Sequence, residues 1–332
     1  MNTKSKILIV NPLFRDLFIN HSQNILKNKF EVDEFFIHKN NRTNNFSKYF
    51  HKVINLINIH FLKKRDYYKR LEKKRQSNYY QYCLNNVKNK RYDKILICRG
   101  DRLPHFVLKN LQIQSKKMIN YQCDGVEMCP DIFKKKKYFT SIYSFEKEDI
   151  IKYPDLDLKF ITNFYFNYNP MINKKADVDF YYLGVGLEDR IKMLDQFTQK
   201  FKNFNAKFLV TSTKPNNLPK SVTHLKEIVN YQSNLDYTIM SKCIIDLKMD
   251  VHNGLSFRFF EALYYQKKLI TNNTDIINYE FYNPNNIMII DYNNYTQASV
   301  LEFLDKEYIN IDSEIINKYS FDNWLKRILE LE

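Results

Sequence analysis

Glycine, alanine and long apolar runs are scarce in this sequence of 332 residues. Only five glycines are present, whereas lysine, asparagine, isoleucine, tyrosine and phenylalanine are abundant, a bias expected of a chain encoded by an AT-rich genome. No apolar run approaches the roughly 20 residues that a membrane-spanning helix needs. The first five residues lead straight into a strand pattern, without the apolar core or cleavage site of a signal peptide. We therefore expect a cytoplasmic protein with enough chain for two domains.

Cysteine is also scarce, and the few that occur are not spaced as ligands. The odd number and the lack of a Cys-x-x-Cys pair argue against a disulfide framework and against a zinc site. We expect all five cysteines to be reduced, with Cys98 and Cys243 in the core. The Asp-x-Asp pattern at residues 155–157 stands beside Pro154 in a predicted turn, so we expect it to hold no divalent metal ion. We also expect no cofactor. The five cysteines are Cys83, Cys98, Cys123, Cys129 and Cys243.

Positive charge is abundant, and the formal net charge is +15. Such a balance favours an anionic partner, although part of it follows from the lysine-rich composition. A nucleotide-sugar or an anionic membrane surface would be such a partner. A rival interpretation is a nucleic-acid-binding protein that uses residues 63–92, where basic and aromatic residues interleave. No recognised nucleic-acid-binding module appears.

Short apolar runs that end in turn-forming residues recur along the chain and predict the strands of parallel sheets. The first half also predicts a helix over residues 14–27 and one or two long helices within 39–90, and the second predicts helices from 189 and over 314–331. The pattern predicts an α/β protein of two Rossmann-like domains, at residues 1–165 and 179–332, joined by a linker at 166–178. Ligand should bind between the carboxyl ends of their strands. The predicted strands are 6–10, 31–37, 94–98, 117–121, 138–144, 159–161, 179–184, 206–211, 225–229, 243–247, 268–271 and 286–290.

The most informative segment is residues 253–271, where a short loop runs into an apolar helix and then a strand. A helix N-terminus offers free N–H groups and partial positive charge, which suit a phosphate. Ser256 can serve as the N-cap. Glu261 lies about one and a half turns further in, where a carboxylate can accept hydrogen bonds from a ribose. This order predicts a nucleotide-diphosphate site; the alternative is an ordinary amphipathic helix with Glu261 in solvent.

Residues 261–263 and 267–271 resemble the second half of the Glu-x7-Glu signature of GT-B glycosyltransferases, especially bacterial enzymes that build capsule, lipopolysaccharide or other surface glycans. The resemblance is most specific over residues 179–292 and looser over 94–165. It implies the GT-B fold, two Rossmann-like domains facing each other across a cleft. The first Glu of the signature falls on Asn253, a departure that leaves the donor-sugar contact and the stereochemistry open.

The resemblance implies further donor-binding residues around this signature. Gly184 and Gly186 let the backbone approach a phosphate with which Arg190 can pair; the alternative is a tight turn with a solvated arginine. Arg258 binds the donor phosphates or neutralises Glu261. Tyr231, after a strand expected to receive the nucleobase, can stack on the base, and His252 contacts the sugar or phosphate or is structural. The loop itself consists of Asn253, Gly254, Leu255 and Ser256.

The first domain should supply the acceptor site and any general base. Asp101 and Asp124 each follow a predicted strand, where a doubly wound sheet opens into its cleft. An inverting transferase needs a carboxylate or histidine near the acceptor hydroxyl, and we rank Asp124 before Asp101. Each can equally be a turn or cap residue.

Together these features predict a metal-independent glycosyltransferase that acts on a nucleotide-diphosphate-sugar. Its acceptor would be a growing surface glycan or a lipid-linked sugar. Peripheral contact of the protein with the inner face of the membrane is left open. We expect no nucleic-acid partner. A degenerate GT-B protein that binds without catalysis is a further alternative, suggested by Asn253.

Overall fold

The computed structural model describes residues 5–36, 52, 54–55, 66–169, 177–211, 218–227, 229–249 and 252–331. Its first half is built around a six-stranded sheet whose strand pairs are all parallel, in the order β2-β1-β3-β4-β5-β6. Helices flank the sheet, at Arg15–Leu26 (α1), Tyr67–Val87 (α2), His105–Gln114 (α3) and Lys147–Lys152 (α4). The strands are Ser5–Val10 (β1), Phe30–Phe35 (β2), Lys94–Cys98 (β3), Met118–Gln122 (β4), Ser141–Ser144 (β5) and Leu158–Phe160 (β6).

The second half repeats this architecture with a second parallel sheet, ordered β12-β11-β10-β7-β8-β9. Its helices are Glu188–Lys200 (α5), Tyr231–Met240 (α6), Phe257–Tyr264 (α7), Gln297–Asp305 (α8), Ser313–Lys318 (α9) and Phe321–Ile328 (α10). The strands are Val178–Val185 (β7), Ala206–Thr211 (β8), Val222–His224 (β9), Ser241–Asp246 (β10), Lys268–Thr271 (β11) and Ile287–Ile289 (β12).

The central strands β1 and β3 are buried on both faces, which explains why their sequences are continuously apolar over Ile7–Val10 and Ile95–Cys98. Four residues of β1, from Ile7 to Val10, are fully buried, and Cys98 and Cys243 are buried in β3 and β10 as predicted. The strand order of each sheet reverses once, between β1 and β3 and between β7 and β10. Such a reversal opens a crevice at the carboxyl ends of the strands. Two such α/β halves confirm the GT-B fold that the sequence predicted.

The chain returns to the first half after it completes the second. Helix α10 packs into the core on the first sheet, where Trp324 lies against Tyr121 and Phe164 with ring centroids 5.0 and 4.5 Å apart. The predicted boundaries place residues 179–332 in one domain and did not anticipate that α10 packs on the first sheet. The boundaries themselves stay a prediction.

Two predicted elements differ from the structure. The strand expected at residues 225–229 lies instead at Val222–His224, because edge strand β9 pairs with β8 from Val222 to His224 and α6 begins at Tyr231. The single helix expected over 314–331 is divided into α9 and α10. There the backbone of Tyr165 accepts from the N–H of Phe321 at 2.8 Å and donates to the carbonyl of Tyr319 at 3.1 Å.

Other predicted segments lie partly outside the described residues. Helix α2 accounts for residues 67–87 of the predicted helical region, whereas 37–51, 53 and 56–65 fall outside. Most of the predicted linker, 170–176, also falls outside. Within the part of the chain that the structure describes, no helix combines the length and apolar character needed to cross a bilayer.

Candidate functional site

Arg258 lies at the strand-order reversal of the second sheet, where ligands bind in folds of this kind. Its side chain extends from the first turn of α7 and joins the two central strands. One terminal nitrogen donates to Asp246 at 3.0 Å, at the end of β10, and the other donates to the carbonyl oxygen of Leu183 in β7. The guanidinium lies over the ring of Tyr182, 5.0 Å from its centroid. The sequence offered phosphate or Glu261 as its partner, and the structure adds Asp246.

Asp246 organises the residues around Arg258, and the sequence analysis missed it. It is 2% exposed. One carboxylate oxygen accepts from Ser256 at 2.8 Å and from Arg258, and the other accepts from Thr271 at 2.9 Å. Ser256 stands at the N-cap position of α7, but its hydroxyl binds Asp246 rather than capping the helix. An acid that ends an apolar strand is the signal that could have identified Asp246.

Glu261 in α7 is buried. The alternative interpretation, an amphipathic helix with Glu261 in solvent, required it to be exposed. Its Oε1 accepts hydrogen bonds from the hydroxyl of Tyr231 and, at 3.4 Å, from Asn234. Burial raises the pKa of this carboxyl, while the Tyr231 hydrogen bond and the charge of Arg258 oppose the rise. In the described part of the chain Oε2 has no hydrogen-bond partner, so a ligand hydroxyl could bind it.

One face of the Tyr231 ring is covered. The ring stacks on Phe14 of the first half, with centroids 3.5 Å apart and planes 15° from parallel. Phe14 has a positive φ of 50°, an uncommon conformation for a bulky residue. The first half therefore occupies one of the two faces on which a base could stack, and the predicted stacking role of Tyr231 stays a prediction.

A cavity of about 890 Å³ lies between the two halves beside these residues. This volume is within the range of small-molecule sites. Four predicted donor residues line it together, and the first half contributes Phe14, Arg15 and Phe36 to the opposite wall. The predicted residues are Tyr231, Ser256, Arg258 and Glu261.

The loop before Ser256 is engaged by the first half. Glu146, which is 4% exposed, accepts hydrogen bonds from the backbone N–H groups of Asn253 at 2.9 Å and Gly254 at 2.7 Å. Its other oxygen lies 2.9 Å from Nδ1 of His252. Two backbone donors of the loop before the helix are thus occupied by a carboxylate from across the cleft. Glu146 follows a buried strand, as Asp101 and Asp124 do, but was not singled out.

Asn253 is suited to this neighbourhood as a glutamate would not be. Its side-chain amide donates to Glu148, and its side-chain oxygen accepts from Lys248 at 2.6 Å. A glutamate at this position would face the carboxylates of Glu146 and Glu148. Asn253, the residue that departs from the GT-B signature, thus lies beside two acids of the opposite half, Glu146 and Glu148.

The loop also fits tightly against the first half. A Cβ on Gly254 would lie 2.6 Å from the ring of Phe145, so only glycine allows this approach. Leu255 is buried, and its carbonyl oxygen accepts from Asn163 at 2.9 Å.

The turn after β7 lies next to Arg258. A Cβ on Gly184 would lie 2.4 Å from the hydroxyl of Tyr182 and 2.9 Å from the guanidinium of Arg258, and one on Gly186 would lie 3.1 Å from Val210. Arg190 points inward, and one terminal nitrogen donates to the carbonyl oxygen of Leu247 at 2.7 Å, just after β10. Arg190 and Arg258 therefore both bind the carboxyl end of the second sheet.

The predicted acceptor-side acids are both paired with Arg99. Asp101 is 7% exposed, and its two oxygens accept from Arg99, each at 2.8 Å. Asp124 forms an ion pair with Arg99 and lies 3.7 Å from Arg102, but its side chain is 45% exposed. Asp124 is thus the more accessible of the two, and the catalytic role of either stays a prediction.

The structure divides the predicted residues into four groups. Tyr231, Ser256, Arg258 and Glu261 line the central cavity. Residues 252–255 contact the first half through Glu146, Glu148 and Asn163. Gly184, Gly186 and Arg190 lie around the turn after β7 and do not line that cavity. Asp101 and Asp124 lie around Arg99. In the described ranges, no group of three or more His, Cys, Asp or Glu residues is placed to hold a metal ion.

No protein-family model matches this sequence, and no curated protein matches it either. Among solved structures, the chain is similar to a UDP-GlcNAc 2-epimerase from Neisseria meningitidis bound to UDP-GlcNAc, with a TM-score of 0.54 and 12% identity over 98% of each chain. A UDP-N-acetylglucosamine 2-epimerase gives 0.52 and 11% over 99% of this chain and 95% of that one. The glycosyltransferase SnogD from Streptomyces nogalater gives 0.48 and 10% over 99% of each. At these identities the likeness shows the fold alone, and the chain has the GT-B fold.

Proposed function

We propose that this chain is a metal-independent glycosyltransferase that moves a sugar from a nucleotide-diphosphate-sugar to a growing cell-surface glycan or a lipid-linked acceptor. The observation that carries the proposal is the cavity at the strand-order reversal, which Glu261 and Arg258 line together. A solved structure of similar fold contains UDP-GlcNAc, which supports a nucleotide-sugar donor.

In this proposal Glu261 binds the ribose through Oε2. The diphosphate lies toward Ser256, Arg258 and Arg190, because Glu146 already occupies the N–H groups of Asn253 and Gly254. Two arginines can offset the diphosphate charge without a metal ion. The base lies against the cavity wall at residues 229–231, since Phe14 covers the ring of Tyr231.

On the acceptor side, the proposal keeps Asp124 as the general base and Asp101 as the second choice. An amide cannot take the acceptor proton, so Asp124→Asn should lower turnover roughly 10²–10⁴-fold while donor affinity stays unchanged. Near-normal turnover in Asp124→Asn with a collapse in Asp101→Asn would transfer the role to Asp101. The net charge of +15 motivates peripheral contact with an anionic membrane, and no nucleic acid is part of the proposal.

The donor site is tested by calorimetry with UDP, GDP and ADP on the wild type and Glu261→Gln. Loss of a charged hydrogen bond should cost roughly 1.5–3 kcal/mol of binding, about 10- to 150-fold in Kd. Glu302→Gln is the control, because Glu302 is 74% exposed and lies outside the cavity. Equal nucleotide affinity in all three proteins would remove Glu261 from the site.

The arginines are tested by comparing a nucleoside with its diphosphate. Arg190→Ala and Arg258→Ala should each weaken diphosphate binding more than nucleoside binding. Arg258→Lys keeps a charge near Asp246 if the alanine variant does not fold. Equal losses for both ligands would leave the arginines with a structural role only.

A binding protein without catalysis is the second candidate, favoured by Asn253 and by the pairing of both acids with Arg99. Tight diphosphate binding without transfer or hydrolysis of any nucleotide-sugar would select it. Preference for oligonucleotides over diphosphates would instead favour the nucleic-acid rival.

A further inference from the structure

A second concave surface lies where helices α9 and α10 meet the β5–β6 side of the first sheet. Two adjoining cavities, of about 670 and 330 Å³, share Phe160, Lys318 and Arg327 in their walls. None of their lining residues lines the nucleotide-sized cavity. We call the two cavities together the basic groove.

The groove carries an excess of positive charge over its acids. Its lining includes Lys147, Lys318, Lys326 and Arg327. The lining acids, Glu280 and Glu330, are already engaged. Glu280 pairs with Lys318 at 2.8 Å and accepts from the hydroxyl of Tyr319 at 3.4 Å. Glu330 pairs with Lys117 and Lys159, both from the first half.

Lys326 and Arg327 are two of the lining cations that remain available. Both are exposed, and among the described residues no carboxylate lies within ion-pair distance of either. Burial raises the pKa of Tyr143 and of Tyr319 to about 12, and the charge of Arg327 opposes both rises. Arg327 lines both cavities, so it lies where the two join, with Tyr143 on one side and Tyr319 on the other.

The tyrosines in the walls of the groove do not offer open faces for base stacking. Tyr143, Tyr279 and Tyr319 are each less than a tenth exposed. The Nζ of Lys147 lies over the rings of Phe160 and Tyr279, at 5.3 and 5.1 Å from their centroids. Proteins that bind single-stranded nucleic acid use open aromatic faces. The groove is instead suited to an elongated ligand held by its negative charges and hydroxyl groups.

We propose that the basic groove binds an anionic glycan, a chain whose sugars carry carboxylate or phosphate groups. The identification of the ligand as a glycan rests on the proposed function, whereas anion binding at the groove does not. Lys147 stands between Glu146 and Glu148, which both bind the loop at residues 252–254. The groove thus adjoins the junction between the halves, and a glycan held there lies beside the transferase cleft.

The test measures the affinity of oligogalacturonate at fixed ionic strength for three proteins: the wild type, Lys326→Glu/Arg327→Glu, and Lys192→Glu/Lys202→Glu. The last variant has the same charge change at exposed positions outside the groove. A neutral maltooligosaccharide and oligothymidylate of similar length are the comparison ligands. Unchanged melting temperatures establish that both variants fold.

The groove variant should lose about tenfold or more in affinity for oligogalacturonate, and the control variant less than threefold. Wild-type protein should bind the acidic sugar chain better than either comparison ligand. Equal losses in the two variants would reduce the effect to net charge and overturn the proposal. Preference for oligothymidylate, or for the neutral chain, would overturn it as well. UDP affinity, measured in parallel, reports on the proposed function separately, because none of these substitutions touches the central cavity.

Discussion

At the scale of single residues, Asp246 supports the candidate site through one buried carboxylate. Asp246→Asn would remove the carboxylate that pairs with the largely buried guanidinium of Arg258 and leave only the more distant Glu261 to offset its charge. We therefore expect a loss of about 3 kcal/mol in the free energy of unfolding. Urea denaturation measures it. Asp305→Asn, at an exposed position in α8, should change stability by less than about 0.5 kcal/mol. Comparable losses in the two variants would contradict the role given to Asp246.

The residues identified from the sequence and those missed differ in where their partners come from. Ser256, Arg258 and Glu261 lie on one helix or at its N-cap, and a local pattern of loop, helix and acid is enough to single them out, whereas Tyr231 was proposed only from the resemblance to GT-B enzymes. Glu146 acquires its role through a loop more than a hundred residues away. Asp246 acquires its role when α7 and β11 pack beside β10. The local sequence shows that an acid stands at the end of a strand, but it does not show which distant residues that acid will bind.

At the scale of elements, apolar runs predicted strands well. Strands β3, β8 and β11 have the predicted bounds, because a strand buried on both faces reads as an unbroken apolar run. The break between α9 and α10 could not be predicted in this way. It depends on hydrogen bonds to Tyr165, and nothing in residues 314–331 encodes that partner.

The start of α10 offers a test at this scale. Ser320 is fully buried, and its hydroxyl oxygen accepts from the N–H of Asn323 at 3.3 Å. Ser320→Ala should therefore destabilise the protein by roughly 0.5–2 kcal/mol, measured by urea denaturation. Ser320→Asp restores an N-cap acceptor and should recover part of the loss if its larger side chain fits. A wild-type value for the alanine variant would show that the Tyr165 pairing alone fixes this helix start.

At the scale of the whole molecule, Glu146 connects the two halves across the cleft. Glu146→Ala removes a charged acceptor shared by three donors, and we expect a loss of about 2–3 kcal/mol in the free energy of unfolding. We also expect a larger radius of gyration in small-angle scattering, because the loop at 252–254 loses three of its contacts with the first half. Glu302→Gln should change neither value. An unchanged radius in Glu146→Ala would show that the halves stay together without this contact.

Glu330 ties the C-terminal segment to the first sheet and makes that attachment depend on pH. Lys117, with Lys159 and Tyr143, lowers the pKa of Glu330 from 4.5 to about 2. A carboxyl with a lowered folded-state pKa stabilises the protein above its unfolded value, near 4.5, and loses that contribution as the pH falls through about 2.

Glu330→Gln should therefore cost about 2 kcal/mol at pH 7, after allowance for the partial exposure of the pair. By pH 3 the difference between variant and wild type should fall to less than half. Urea denaturation at both pH values measures it. A difference that does not vary with pH would assign the loss to packing rather than to charge.

The return of α10 to the first sheet also sets an order for folding during synthesis. The first sheet is complete in sequence at Phe160, but its core still lacks Phe321, Trp324, Leu325, Ile328 and Leu329. Ribosomes add roughly 5–20 residues per second, so the missing residues follow about ten to thirty seconds after β6. Until then the rings of Phe18, Tyr121 and Phe164 lack their contact with the ring of Trp324. The first half is synthesised first, but its core cannot be completed until the C-terminal helix has been made. During that interval the nascent chain exposes an apolar surface to which chaperones can bind.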